Sequence, residues 1–114
     1  MKTVEAVVQE NLESYNNRNI AAYMSSFSED IELYAFQEAK PMIVGLYDFR
    51  MFYEKLFQDS PRLHSTVLKR IVFDNKVIDH ERIEGRQGMT EAFEIVMIYE
   101  VKEEKIFRMT ILRK

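Results

Sequence analysis

The chain has 114 residues, 46% of them hydrophobic and 31% charged, with a formal net charge of -3. This is the composition of a globular protein and the length of a single domain, residues 1–114, able to bury roughly 65% of its unfolded surface. Its 16 basic and 19 acidic residues are interleaved, which excludes the clustered basic face that nucleic acid requires.

The absence of cysteine excludes disulfides, thiolate chemistry and Cys-ligated metals. No apolar run approaches the roughly 20 residues of a membrane span. The start Met1-Lys2-Thr3-Val4-Glu5, followed by Glu10 and Glu13, lacks the apolar core of a signal peptide. The expected location is the cytoplasm, with neither nucleic acid nor membrane as partner.

Val4, Val7, Val8, Leu12 and Tyr15 follow the spacing of a helix with one buried stripe, and Thr3 is its cap. Asn16 to Asn19 break that helix, and Asn19 caps a short second one carrying Ile20, Tyr23, Met24 and Phe27. Ser28 to Asp30 end it, and Ile31 to Phe36 alternate as a strand. After a loop at 37–41, Met42 to Val44 form a short strand stopped by Gly45. Phe49, Phe52, Tyr53, Leu56 and Phe57 make the strongest helical stripe, and Pro61 prevents its continuation.

Four strands follow. Leu63 to Phe73 and Lys76 to Glu84 are joined by a tight turn at Asp74-Asn75. A looser turn at 85–88 leads to a strand from Ala92 to Val101. After Lys102 to Lys105 the last strand places Phe107, Met109 and Ile111 on one face. The order α-α-β-β-α-β-β-β-β predicts an α+β fold with an antiparallel sheet.

In the penultimate strand Phe93, Ile95, Met97, Tyr99 and Val101 share one face, and the other also carries apolar residues, Val96 and Ile98. A strand apolar on both faces is covered on both. Helices cover one side. For the outer side, Val72, Val96 and Ile98 are the expected homodimer interface; the alternative is that the early strand and loops fold over it.

The element order resembles the nuclear transport factor 2-like superfamily, which includes ketosteroid isomerase and the SnoaL-type polyketide cyclases. The resemblance rests on Val7-Val8-Gln9, Asn16 to Ile20, Phe27 to Leu33, Gly45, the pair Phe52-Tyr53, and Val77 to Arg82. It implies a cystatin-like, cone-shaped bent antiparallel sheet wrapped around three helices in the N-terminal half. An apolar pocket at the open end, for a small hydrophobic molecule, and a dimer through the sheet's outer face are implied with it. Ketosteroid isomerase uses a carboxylate base and an oxyanion hole of a tyrosine and a protonated acid. Those positions match Ala35, Asn11 and Met97 here, and only the supporting tyrosine, Tyr53, is retained. Alanine and methionine cannot move protons, so the resemblance implies the fold without that enzyme's chemistry.

On the strand Lys76 to Glu84, whose one face carries Val77, Asp79, Glu81 and Ile83, the resemblance puts two carboxylates inside the pocket. Burial and mutual repulsion raise carboxyl pKa values, which suits a general acid or base. Asp79 and Glu81 are therefore the candidate catalytic pair; the competing reading is a satisfied ion network with Arg70 or Arg113. A one-residue error in pleat would present His80 and Arg82 instead. Tyr53, Met97, Tyr99, Met109, Phe52 and Asn11 are the candidate ligand-binding residues, since buried tyrosines need hydroxyl partners and methionines make an adaptable lining. No metal is expected, because Asp79, His80 and Glu81 point alternately to opposite faces, and no cofactor motif is present. The expected function is binding, and isomerising or cyclising by acid/base chemistry, a small apolar molecule. The alternatives are a non-catalytic ligand-binding or dimerisation module and, last, a protein-interaction domain.

Overall fold

The computed structural model describes all residues, Met1–Lys114. Helix α1 spans Val4–Asn16 and starts at its sequence cap, with Thr3 Oγ1 accepting from the Ala6 backbone N–H at 3.0 Å. Helix α2 spans Ile20–Met24, capped by Asn19, whose side chain accepts from the Ala22 N–H at 3.1 Å. Helix α3 runs Leu46–Asp59 and buries Phe49, Tyr53, Leu56 and Phe57. Phe52 stays 40% exposed at the edge of that stripe.

The strands are β1 Phe27–Ala35, β2 Ile43–Val44, β3 His64–Phe73, β4 Lys76–Glu84, β5 Phe93–Lys102 and β6 Lys105–Arg113. Strand β1 begins at Phe27, four residues before the alternation of the sequence suggests. Phe27 is buried as a core residue and pairs with Ile106, so tertiary pairing overrides the local polar run Ser28-Glu29-Asp30. One sheet of order β2-β1-β6-β5-β4-β3 holds all six strands and stays open at β2 and β3. Every neighbour pair is antiparallel except β1 with β6, which is parallel. A purely antiparallel sheet therefore needs this correction. β1 and β6 are separated by most of the chain, so no hairpin forces them to run opposite ways.

Two bulges set the facing of side chains. In β3 the register moves by one between Val67 and Lys69, leaving Leu68 as the extra residue. Beyond it Arg70 lies opposite Asp79, Ile71 opposite Ile78 and Val72 opposite Val77. Since Val77 and Asp79 are fully buried on the concave face, Val72 belongs to that side and not to the outer face expected for it. In β6 the shift falls at Phe107, because Val101 pairs with Ile106 but Glu100 with Arg108. Ile106, Met109 and Ile111 therefore fill the core, and Phe107 leaves the set.

The concave face of the sheet closes over α1, α2 and α3 in one cluster of 21 buried apolar residues. Its centre is aromatic: Tyr23 lies with ring centroids 4.8 Å from Tyr53, 5.0 Å from Phe27 and 5.4 Å from Phe57, distances at which tilted and edge-on pairs are favourable. No helix is long and apolar enough to cross a membrane.

Candidate acid–base cavity

Between the concave sheet and the helices lies a cavity of about 60 Å³, lined by 19 residues, 15 of them hydrophobic. All six residues expected to bind ligand line it: Asn11 from α1, Phe52 and Tyr53 from α3, Met97 and Tyr99 from β5, and Met109 from β6. The empty space is small. An apolar cavity that accepts benzene holds about 150 Å³, so a guest of that size requires lining side chains to move, and Phe52 and Met42, 40% and 56% exposed, are the least buried apolar ones.

Asp79 and Glu81 both point inward, 0% and 4% exposed, as the alternation of β4 with Val77 and Ile83 requires. Their environments differ. Arg70 grips both oxygens of Asp79, with Nε to Oδ1 at 2.7 Å and Nη2 to Oδ2 at 2.9 Å. The same guanidinium donates from Nη1 to Gln9 Oε1 at 2.9 Å and sits 3.7 Å from Glu5. Hydrogen bonding to Asp79 raises the Arg70 pKa further. Asp79 does not line the cavity. A carboxylate engaged by a planar two-pronged donor has no free role as a base, which removes Asp79 from the expected catalytic pair and makes it Arg70's counter-ion.

Glu81 does line the cavity, and it is the one carboxylate on its wall. The Ser65 hydroxyl donates to its Oε1 at 2.7 Å, and the Tyr99 hydroxyl to its Oε2 at 3.1 Å. Burial pushes the Glu81 carboxyl up to about 7; the Ser65 hydrogen bond opposes the rise and the nearby Asp79 charge adds to it. Tyr99 is buried too, and its own pKa is raised well above the ordinary value by desolvation and by the charge of Glu81. A carboxyl poised near neutrality is populated in both forms, so it can take a proton and return it. A carboxylate offers about four lone-pair sites, and the two hydroxyls leave room for a guest.

Ser65 is a site residue that the sequence reading missed. It is held from outside the cavity by Asn16, whose Oδ1 accepts from the Ser65 N–H at 2.7 Å and whose Nδ2 donates to the Ser65 carbonyl at 3.0 Å. Asn16 reads locally as a helix end, and no spacing within one strand reveals a contact across 49 residues. Tyr15 and Tyr23, assigned only to the core, also reach the cavity, as do Arg86 and Arg113. Val96 and Ile98 are half-buried on the outer face, where His80 Nε2 also lies 2.6 Å from Glu94 Oε1. His80 and Arg82 thus face away from the cavity.

Residues 8–109 match the SnoaL-like domain. No curated protein matches the sequence. Among solved structures the fold is similar to an uncharacterized cystatin fold protein from Novosphingobium aromaticivorans, at 19% identity over 99% of each chain with a TM-score of 0.85. It is also similar to a protein of the nuclear transport factor 2-like type, of unknown function, from Cytophaga hutchinsonii. That match has 16% identity over 97% of this chain and 89% of the other, with a TM-score of 0.78. A SnoaL-like protein of unknown function from Burkholderia thailandensis matches at 13% identity, over 95% and 91% of the chains, with a TM-score of 0.77. At such identities the likeness is one of fold. With a domain match across most of its length and the helix-filled curved sheet to go with it, the chain belongs to the SnoaL-like domain family.

Proposed function

We propose that the protein binds a small, largely apolar organic molecule in the concave cavity and moves a proton on it through Glu81. The observation that carries this reading is a lone carboxyl on an apolar wall with its pKa at about 7. Such a group fits the removal of a proton next to a carbonyl and its return elsewhere, the step shared by isomerisation and by ring closure through carbon. Ser65 and Tyr99 orient it. Tyr53, with its pKa raised chiefly by burial, stays protonated and donates to a guest oxygen.

The test is proton exchange. Small ketones and enones are incubated with the protein in D2O near pH 7, and deuterium uptake at the α-carbon is followed by NMR. Uptake is expected to exceed the protein-free rate and to fall by about 10²–10⁴ in Glu81→Gln, the usual weight of a general base. Uptake that is equal in both proteins removes Glu81 as the proton carrier. A second reading, a binding module in which the Glu81 network is structural, is favoured by the small cavity and by the two hydroxyls already on that carboxyl. It predicts bound guests with no exchange.

The outer face suits a second copy of this chain. Ile71, Ile78 and Ile98 stand side by side across β3, β4 and β5, flanked by Val96 and Leu112. Exposed apolar rows of this breadth mark interaction surfaces. Sedimentation equilibrium at tens of micromolar protein is expected to give a dimer, and Ile98→Lys a monomer with unchanged far-UV circular dichroism. A wild-type monomer under those conditions eliminates self-association through this face.

A further inference from the structure

Besides Asn11 and Glu81, the mostly apolar cavity wall carries two cations, half-buried Arg86 and exposed Arg113. Arg113 extends from the end of β6, opposite Ile95, with the same inward parity as Met109 and Ile111. Arg86 begins a 3-10 turn, Arg86–Gly88, directly after β4. That turn is fixed at its base. Gly85 has φ +72, and a Cβ there would stand 2.2 Å from the Arg62 carbonyl oxygen, so only glycine fits. The Gln87 N–H donates to the Oγ of fully buried Ser60 at 2.9 Å. The Arg86 side chain therefore leaves from a pinned backbone.

Neither arginine has a partner. The chain's seven ion pairs join other residues, although 19 acidic side chains are available. Neither guanidinium donates a side-chain hydrogen bond to Glu81, whose two oxygens are taken by Ser65 and Tyr99. Both arginines line the same cavity as Tyr53. Arginine's planar fork matches a carboxylate better than it matches water, and it is more weakly hydrated than an ammonium group. Two unpaired forks beside a greasy hollow form half of a recognition site for an amphiphilic anion.

We propose that the molecule taken by the cavity is a small carboxylic acid, its carboxylate held by Arg86 and Arg113 and its apolar carbons directed inward toward Tyr53 and Glu81. This rests on the cavity being a binding site, as argued above, and adds the chemical class of the guest. The wall's charge supports a monoanion: two cations are offset by a single carboxyl that burial keeps partly protonated. An uncharged hydrocarbon leaves both arginines unused.

The experiment compares hexanoate with hexanamide, equal in size and differing in charge, by NMR titration at pH 7.5 and low salt. Hexanoate is expected to bind at least about tenfold more tightly, with the resonances of Tyr53 and Met97 shifting, since even one hydrogen bond to a charged group is worth about that factor. The advantage is expected to shrink with added salt and to vanish in the Arg86→Gln/Arg113→Gln double variant, checked for an unchanged melting temperature. Equal binding of acid and amide, or an acid preference that survives in the double variant, overturns this proposal while leaving the cavity reading intact. Failure of both probes to shift any cavity resonance overturns the two together.

Discussion

Asp79→Ala is expected to destabilise the fold by about 3–5 kcal/mol, the usual result of removing one partner from a buried ion pair. Asp79 is 0% exposed and the Arg70 side chain only 13%, so the orphaned guanidinium cannot simply return to bulk water. Glu5 at 3.7 Å and Gln9 at 2.9 Å remain within its reach, which holds the cost below that of an isolated buried charge. For a chain of this length the loss lowers the melting temperature by roughly 10–20 °C. Thermal and urea unfolding measure it. Replacing both partners by apolar residues, Arg70→Met with Asp79→Leu, is expected to recover most of the deficit, because the pair's desolvation cost disappears with the pair. An Asp79→Ala melt within about 2 °C of wild type refutes the structural role and returns Asp79 to the catalytic candidates. The sequence reading of Asp79 as a base expects the reverse: turnover lost and the melting temperature nearly unchanged.

The pH dependence of stability should carry the signature of Glu81. Its carboxyl is held at about 7 in the fold against an ordinary value of 4.5. A group with a raised folded pKa binds its proton more tightly in the native state than in the unfolded chain. Its contribution is therefore full below about pH 4.5 and is lost as the pH rises through 7. At about 1.4 kcal/mol per pH unit of difference, the wild type should lose on the order of 3 kcal/mol from this group between those limits. Glu81→Gln has no proton to lose and keeps a side chain of the same shape between Ser65 and Tyr99. Urea unfolding at a series of pH values from 4 to 8 is expected to show the variant gaining on the wild type throughout that window. Parallel stability curves contradict a raised Glu81 pKa, and with it the principal support for proton transfer in the cavity.

Much of the architecture is legible in local patterns because one period governs each element. The stripe Phe49, Tyr53, Leu56, Phe57 has room on a helix for only one buried face, and α3 buries those four. The alternation of Val77, Asp79, Glu81 and Ile83 puts all four on one side of β4, and the fold buries them. Of the six expected ligand-binding residues, Met97, Tyr99 and Met109 follow from strand alternation, while Asn11, Phe52 and Tyr53 lie on helices and follow from the family resemblance. Two expected facings were reversed by bulges. Leu68 and Phe107 each insert one residue into a ladder, and beyond an insertion inside and outside exchange. Val72 was placed outward and Phe107 inward for that reason alone. Two polar residues of unremarkable appearance, Ser65 and Asn16, completed the Glu81 environment from 16 and 65 positions away along the chain.

By itself the sequence carries the periods of the helices and strands and, through its resemblance to a known family, the expectation of two carboxylates on the inward side of one strand. Only the tertiary structure assigns those carboxylates opposite roles. The one-residue slip in β3 brings Arg70 across from Asp79, where Lys69 would otherwise stand, and leaves Glu81 facing the hollow with two hydroxyls and no cation bound to it. A carboxyl's chemistry is set by its nearest charges and by its access to water, and both are properties of strands paired across the sheet.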